Sequence, residues 1–270
     1  MKNATKPLVS VVLPACNVEK YVAEAIESIL SQTFKNFELI ILDDASTDKT
    51  WEIIKKYSKK DGRITPVRNR TNLYIAGNRN KGISLARGKY IVWQDADDVS
   101  LPRRIEKLVE LMENNPDVGI CGSYLQSFVN GKDLDVRKYA TDDKTLRKNI
   151  FKYSPVAQPA AIVRKSCFEE LGLFNLEYPP AEDIDLSFRV GAKYKFANIP
   201  EVLLHYREHP GSATQTRLRK QIQSTLKIRR KYAKGFGYRM GFSDYLAYLA
   251  SFLAQFLPAG IVIKLFKLLR

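Results

Sequence analysis

Short apolar stretches alternate with amphipathic stretches through the N-terminal half of the chain. The apolar stretches, at 8–13, 37–42, 64–67 and 90–94, have the length and composition of strands buried on both faces of a sheet. The stretches between them repeat apolar residues at helical spacing, which predicts helices at about 18–30, 47–57 and 76–86. Ser46 or Thr47 is expected to cap the second of these helices. Strands and helices in this alternation predict βαβ units and a mainly parallel sheet.

The pattern changes beyond Asp117. Two stretches, at 118–129 and 134–139, lie on either side of the turn dipeptide Asn130-Gly131 and predict a β-hairpin. We therefore expect an α/β fold with a mainly parallel, mixed sheet flanked by helices. Residues 1–212 are expected to form this domain, and residues 213–270 a helical C-terminal region.

Polar clusters follow three of the predicted strands. They are Pro14-Ala15-Cys16-Asn17, Asp43-Asp44-Ala45-Ser46 and Asp95-Ala96-Asp97-Asp98. Ligands of parallel α/β sheets bind beyond the carboxyl ends of the strands, so these side chains are expected on one rim. Several carboxylates on one rim repel each other unless a cation neutralises them, and their oxygens suit Mg²⁺ or Mn²⁺. Aspartates also cap helices and occupy turns, an alternative that applies especially to Asp48 and Asp98.

Four longer stretches carry motifs in a recognisable order. They are VSVVLPACNVEKYVAEAIESILSQTF, ELIILDDASTDKT, GNRNKGISLARGKYIVWQDADD and AEDIDLSFRV. In these stretches, and over about residues 7–212, the chain resembles family 2 glycosyltransferases, which have the GT-A fold. The resemblance implies transfer of a sugar from a nucleotide-diphosphate donor, preferably a UDP-sugar, to a hydroxyl of a glycan or lipid-linked acceptor. It also implies inversion of the anomeric configuration.

The resemblance implies a donor site built from several residues. Three of them would border the nucleoside: Pro14, Cys16 and Glu19. Asp44 would bind the base. Arg79 would contact the diphosphate, although a solvated position on a helix is an alternative explanation for this arginine.

The resemblance also implies a metal site and a catalytic base. Asp95 and Asp97 would form a DxD motif, with Asp97 on the divalent metal that bridges the diphosphate. His209, in the segment HYREHPGS that ends at Ser212, would complete the metal site or contact phosphate. Asp183, in the pair Glu182-Asp183, would be the general base.

These residue types suit the implied reaction. A divalent cation stabilises a departing diphosphate as a Lewis acid, and a carboxylate can take the proton of an attacking hydroxyl. A structural alternative for Asp183 is a carboxylate favoured by the dipole at a helix start. The chain lacks the QxxRW-type motif and multiple membrane spans of processive synthases, which favours transfer of a single sugar.

The C-terminal region is strongly basic and then apolar. The whole chain carries a formal charge of +15, and residues 217–239 contain nine lysines and arginines but no acidic residue. Each such cation near an anionic membrane contributes about 1 kcal/mol to binding. Residues 245–263 are almost wholly apolar but are interrupted by Pro258, so we prefer monotopic or re-entrant attachment to a span. The alternative is that these helices pack on the catalytic domain or form an oligomer contact.

The remaining composition favours a cytoplasmic protein at the inner face of the cell membrane. Three widely spaced cysteines, Cys16, Cys121 and Cys167, fit a reducing compartment, and the N-terminus resembles a first strand rather than a signal peptide. We discount nucleic acid as the partner of the basic region, because no recognisable nucleic-acid module accompanies it.

Three other classes of protein share some of these features. A haloacid-dehalogenase-type phosphatase expects its nucleophilic aspartate on the first strand, whereas the DxD here follows the fourth. A nicotinamide dehydrogenase needs GxGxxG after strand one, where this chain has PACN. A non-catalytic nucleotide-binding module would keep Asp44 and the DxD but would have no use for Asp183.

Overall fold

The computed structural model describes residues 6–209, 211, 216–258 and 260–262. The strands are β1 Val9–Ala15, β2 Phe37–Asp43, β3 Ile64–Arg68, β4 Tyr90–Trp93, β5 Val99–Ser100, β6 Val118–Val129, β7 Lys132–Arg137, β8 Ile162–Arg164, β9 Lys195–Arg207, β10 Lys234–Gly235 and β11 Tyr238–Arg239. The helices are α1 Val22–Leu30, α2 Thr50–Ser58, α3 Tyr74–Leu85, α4 Arg104–Asn114, α5 Asp143–Lys148, α6 Lys165–Leu171, α7 Glu182–Gly191, α8 Leu218–Tyr232 and α9 Phe242–Ala254.

Nine strands form one mixed, mainly parallel sheet in the order β3-β2-β1-β4-β8-β6-β9-β5, with β7 paired to β6. Strands β1 to β4 run parallel to one another, whereas β8 is antiparallel to both β4 and β6. The strand order changes direction at β1, which has β2 on one side and β4 on the other. Such a switch point opens a crevice at the carboxyl ends of the strands, where ligands of open α/β sheets bind.

The predicted hairpin is confirmed. β6 and β7 are antiparallel, and the two residues between them, Asn130 (φ 48°) and Gly131 (φ 76°), have the left-handed backbone that a two-residue hairpin turn requires. The parallel first half and the mixed second half therefore follow the pattern of the sequence.

Both faces of the sheet are covered. One face packs against α1, α2 and α4, and the other against α3, α5, α6, α7 and α8. Helix α3 packs closely against β1, and Gly82 makes this possible. A Cβ added at Gly82 would stand only 2.4 Å from Cγ1 of Val12. This double burial explains why the central strands are almost continuously apolar.

The predicted cap of α2 is wrong. The helix begins at Thr50, whose N–H donates to Oδ1 of Asp48 at 2.9 Å. Ser46 instead accepts a hydrogen bond from the N–H of Asn17, at 3.0 Å. The loop after β2 is thus tied to the loop after β1, a contact between distant segments that overrides local capping preference.

Helix α8 belongs to the core of the domain. The ring of Tyr232 stacks on that of Phe188 in α7 with centroids 4.6 Å apart. The buried carboxylate of Asp185 accepts hydrogen bonds from Lys231 Nζ (3.0 Å) and from the Tyr232 hydroxyl (3.1 Å). For α8, the alternative that the C-terminal helices pack on the catalytic domain is therefore correct. None of the helices within the described ranges is both long and apolar enough to cross a membrane.

Candidate active site

Asp44 lies at the end of β2, where neighbouring side chains fix its carboxylate. Its Oδ1 accepts hydrogen bonds from Asn69 Nδ2 and from the N–H of Leu73, both at 2.8 Å. Asn69 is itself oriented, because Lys81 Nζ donates to its Oδ1 at 2.7 Å and its Nδ2 also donates to Asn78 Oδ1 at 3.0 Å. The carboxylate is thus held in place as a hydrogen-bond acceptor.

The residues predicted to border the nucleoside lie beside Asp44 or on the rim. Pro14 is buried in β1, whereas Cys16 and Glu19 are exposed. The Cys16 thiol lies 3.5 Å from the Asp44 carbonyl oxygen, and burial together with the charge of Asp44 raises the pKa of this thiol. Glu19 accepts a hydrogen bond from the N–H of Lys49 at 2.9 Å, so it connects the loops that follow β1 and β2.

Non-glycine residues with left-handed backbone lie in the loops after β1 and β2 and at the first position of α3. They are Asn17 (φ 53°), Ala45 (φ 57°) and Tyr74 (φ 58°). This conformation costs an L-residue roughly 1–2 kcal/mol and persists only where the surrounding structure holds it. Strain of this kind concentrates at functional sites, and here all three positions lie at the carboxyl ends of the strands.

Arg79 joins the DxD motif to the Glu182-Asp183 pair. Its Nη2 lies 3.2 Å from Oδ1 of Asp95, and its Nη1 lies 3.2 Å from Oε1 of Glu182. The guanidinium carbon also lies 5.5 Å from the ring centroid of Trp93. Because Arg79 is buried, a solvated helix position is the wrong explanation for it. Its predicted contact with the diphosphate stays a prediction.

The two acids at the start of α7 differ in access. Glu182 is only 2% exposed, and burial raises its pKa to about 7 against the opposing charge of Arg79. Burial also raises the pKa of Asp183, again opposed by Arg79 and by backbone N–H groups at the helix start. Asp183 is partly exposed, so it is the member of the pair that an external hydroxyl can reach.

Asp97 and His209 are in direct contact. Nε2 of His209 lies 2.9 Å from Oδ2 of Asp97. Burial, and repulsion from Asp95, raise the pKa of Asp97. Arg207 fixes the backbone here, since its Nε donates to the Asp97 carbonyl at 2.8 Å and its N–H donates to Oδ1 of Asp98 at 2.9 Å. Asp98 is buried, and through its Oδ1 it ties the loop after β4 to the end of β9.

The residues present suit a metal whose coordination the substrate completes. Nowhere in the described parts of the chain do three or more His, Cys, Asp or Glu side chains converge to hold an ion. Asp97 and His209 meet, whereas Asp95 is engaged by Arg79. In phosphate-transfer sites, Mg²⁺ is usually bound by one or two protein ligands and by phosphate oxygens of the substrate. The predicted three-residue metal set stays a prediction, and Ser212 lies outside the described residues.

Some residues of the site were missed from the sequence. Asn69 directly follows β3, so the rule that identified the other strand ends also applies to it. Arg207 is the last residue of β9, inside the HYREHPGS segment. The pairing of Arg79 with Glu182 carried no local signal, because the two residues meet only through the tertiary fold.

Comparisons with known proteins identify the class to which this fold and site belong. Residues 10–172 match Glycosyl transferase family 2. An uncharacterized glycosyltransferase of Methanocaldococcus jannaschii is 39% identical over 86% of this chain and 82% of its own length. The UDP-Glc:alpha-D-GlcNAc-diphosphoundecaprenol beta-1,3-glucosyltransferase WfaP of Escherichia coli is 30% identical over 81% of this chain and 84% of its own length.

The fold has a counterpart among solved structures. S. aureus TarS 1–349, in complex with UDP-GlcNAc, superposes with a TM-score of 0.71 at 20% sequence identity, over 92% of this chain and 72% of that one. The chain belongs to glycosyltransferase family 2, and its fold is the α/β, GT-A-like arrangement that the sequence predicts.

Proposed function

We propose that the protein transfers a single sugar from a UDP-sugar to a hydroxyl of a glycan or lipid-linked acceptor, with inversion, in the synthesis of a cell-surface polysaccharide or glycolipid. The observation that carries the proposal is the Arg79 bridge. It brings Asp95 of the DxD motif and Glu182, the neighbour of Asp183, into one site in a family 2 chain. The lipid-diphosphate acceptor named for WfaP supports the choice of acceptor class.

The fixed carboxylate of Asp44 supports the choice of base. A carboxylate that already accepts two N–H groups can accept further hydrogen bonds but cannot donate them. Uracil presents an N–H at N3, whereas cytosine presents an acceptor there. Guanine also offers N–H groups, and the UDP-sugar donor named for WfaP supports the choice of UDP over GDP.

The diphosphate would lie over the ends of β1 and β4. Asp97 and His209 would hold Mn²⁺ or Mg²⁺ there. When bound, this ion supplies Lewis-acid stabilisation to the departing diphosphate. Arg79 orients Asp95 beside the same crevice through its bond to Oδ1.

Asp183 would act as the general base. The residue is partly exposed at the start of α7, and desolvation of its carboxylate raises the pKa, which makes it a better proton acceptor than an ordinary aspartate. The hydroxyl oxygen would attack the anomeric carbon opposite its bond to UDP, which breaks as the new bond forms, while Asp183 takes the hydroxyl proton. Attack from the opposite side inverts the anomeric centre. The acid limb of the pH–rate profile should accordingly lie above the ordinary range of aspartate, because the base acts only after it has lost its proton.

We place the reaction at the cytoplasmic face of a membrane, with the protein attached peripherally. The basic segment 217–239 supports attraction to anionic lipid. A lipid-linked acceptor would be presented at the same surface.

The test is a transfer assay with purified protein, Mn²⁺, a panel of UDP-, GDP- and CDP-sugars, and a polyprenyl-diphosphate-linked acceptor sugar. We expect UDP release and product formation with a UDP-sugar only, and an inverted anomeric centre by NMR coupling constants. Asp183→Asn should abolish transfer, whereas Asp135→Asn, at an exposed position on β7, should not. Nucleotide binding without turnover by any donor would instead identify a non-catalytic nucleotide-binding module.

A further inference from the structure

Helix α9 presents an apolar face to its surroundings. Its outward side chains recur at spacings of three and four, so they form one stripe along the helix. They are Phe242, Tyr245, Leu246, Leu249, Phe252, Leu253 and Phe256, the last lying just beyond the helix end. Their exposed fractions run from 43% to 80%. We call these residues the α9 apolar face. A contiguous surface of this kind is rare on folded monomers and marks an interaction site.

The opposite side of α9 is the polar side, and it faces the protein. Asp244 is buried, and its Oδ2 accepts a hydrogen bond from the N–H of Gly241 at 2.9 Å. Ser251 accepts a hydrogen bond from Arg229 Nη1 of α8 at 3.1 Å. The side of the helix that faces the protein thus carries Asp244 and Ser251 together with Tyr248, whereas most of its large apolar side chains lie outside.

The positive charge next to the α9 apolar face favours an anionic partner. Helix α8, against which α9 packs, exposes cations along its length: Arg219, Lys220, Lys227 and Arg230. Residues 217–239 contain no acidic residue to offset them. A second copy of the chain would bring two such basic surfaces together, whereas an anionic bilayer offers both an apolar interior and opposite charge.

The face also ends near the nucleotide site. Val262, beyond α9, packs in one cluster with Leu218 at the start of α8. The adjacent Arg217 guanidinium lies 6.0 Å from the ring centroid of Tyr74. Tyr74 follows Leu73, whose N–H donates to Asp44. This series of contacts connects the end of the α9 apolar face to the rim of the donor site.

We propose that the α9 apolar face inserts into the interface of an anionic phospholipid membrane and holds the mouth of the active site at the bilayer surface. The face provides the apolar contact, and the cations of α8 contact the lipid headgroups. The inference rests on the proposed function in one respect: the proposed reason for docking is access to a lipid-linked acceptor. The docking itself requires no donor, metal or catalysis.

The test is flotation of the full chain with vesicles of phosphatidylcholine alone or with about 30 mol% phosphatidylglycerol. We expect the wild type to float only with the anionic vesicles. The triple variant Leu246→Ser, Leu249→Ser, Leu253→Ser should partition about a hundredfold more weakly, because three inserted side chains are lost. The matched control is Leu134→Ser, at an exposed apolar position on β7, and it should float like the wild type.

Two further measurements keep the outcome clear. The triple variant should melt at the wild-type temperature and bind UDP normally, because the substituted side chains are exposed. Flotation of the triple variant at the wild-type level would overturn the proposal. So would a wild-type dimer in light scattering that the triple variant abolishes, with no vesicle binding by either protein. Failure of sugar transfer alone would contradict the proposed function and leave the docking result intact.

Discussion

The guanidinium of Arg79 donates to two carboxylates that lie far apart in the sequence, Asp95 after β4 and Glu182 at the start of α7. Arginine can do this because its planar fork carries donors in fixed directions, whereas a lysine ammonium is a single point charge. Arg79 therefore sets the distance between the donor side of the site and the proposed base.

We expect Arg79→Lys to lower kcat by about tenfold or more, and by a larger factor than it raises the dissociation constant for UDP. The reason is that one of the two carboxylates loses its partner, which moves Asp183 relative to the donor without removing Asp44. Steady-state kinetics combined with calorimetry separate the two effects. Arg87→Lys is the matched control, because the exposed Arg87 likewise pairs with a buried carboxylate, that of Glu38. An unchanged kcat would show that the bridge is not needed for catalysis.

At this scale the sequence identifies residues but not their partners. Asp44, Asp97 and Asp183 were identified from strand ends and from the family motifs, and the structure places them at the carboxyl end of the sheet. That Asp44 is held by Asn69, or that Asp97 contacts His209, depends on loops that meet in space. Local periodicity carries no information about such contacts.

The first turn of helix α7 carries the proposed catalytic base and a structural carboxylate. Glu182 and Asp183 lie at the start of α7, next to the site. Asp185, two residues further along, accepts hydrogen bonds from Lys231 and Tyr232 of α8. A carboxylate whose pKa is raised by burial makes the stability of this element depend on pH.

We expect the wild type to lose stability relative to Glu182→Gln as pH rises from 5 to 8. The pKa of Glu182 rises from 4.5 to about 7, so in this interval the folded chain holds a proton that the unfolded chain has released. Stability is full below the unfolded value and falls as pH passes the folded value, by roughly 3 kcal/mol at most. Urea denaturation at several pH values measures the difference. The exposed Glu110→Gln should show none, and a flat difference for Glu182→Gln would contradict the assignment.

Elements were predictable where burial alone decides them. The central strands and the β6–β7 hairpin follow from apolar runs and from a turn dipeptide. The start of α2 was misplaced because Ser46 bonds to Asn17 rather than to its own helix. The packing of α8 was left open because basic residues alone do not show that Ile228 and Tyr232 enter the core.

The change in composition after residue 212 does not mark the end of the packed core. Helix α8 contributes Ile228 and Tyr232 to the main core, although it lies beyond the predicted boundary at 212. Helix α9 packs mainly on α8 and leaves its apolar face exposed. The structural unit therefore extends through α8 and the β10–β11 hairpin.

We expect a chain that ends at Gly211 to lose more than about 5 kcal/mol of stability and to aggregate, because it uncovers the aromatic cluster around Phe188. A chain that ends at Gly241 keeps α8 and should retain cooperative unfolding and UDP binding while losing vesicle binding. Circular dichroism melts of the two truncated chains provide the comparison. Equal stability of both would mean that α8 is dispensable.

The most direct test of the account is a calorimetric titration of UDP with and without Mn²⁺, paired with the transfer assay, on the wild type, Asp97→Ala and Asp183→Asn. We expect metal-dependent binding by the wild type, no such binding by Asp97→Ala, and wild-type binding without transfer by Asp183→Asn. Transfer by Asp183→Asn at the wild-type rate, or UDP binding that neither Mn²⁺ nor Asp97 affects, would contradict the assignment of this crevice as a metal-dependent glycosyltransferase site with Asp183 as its base.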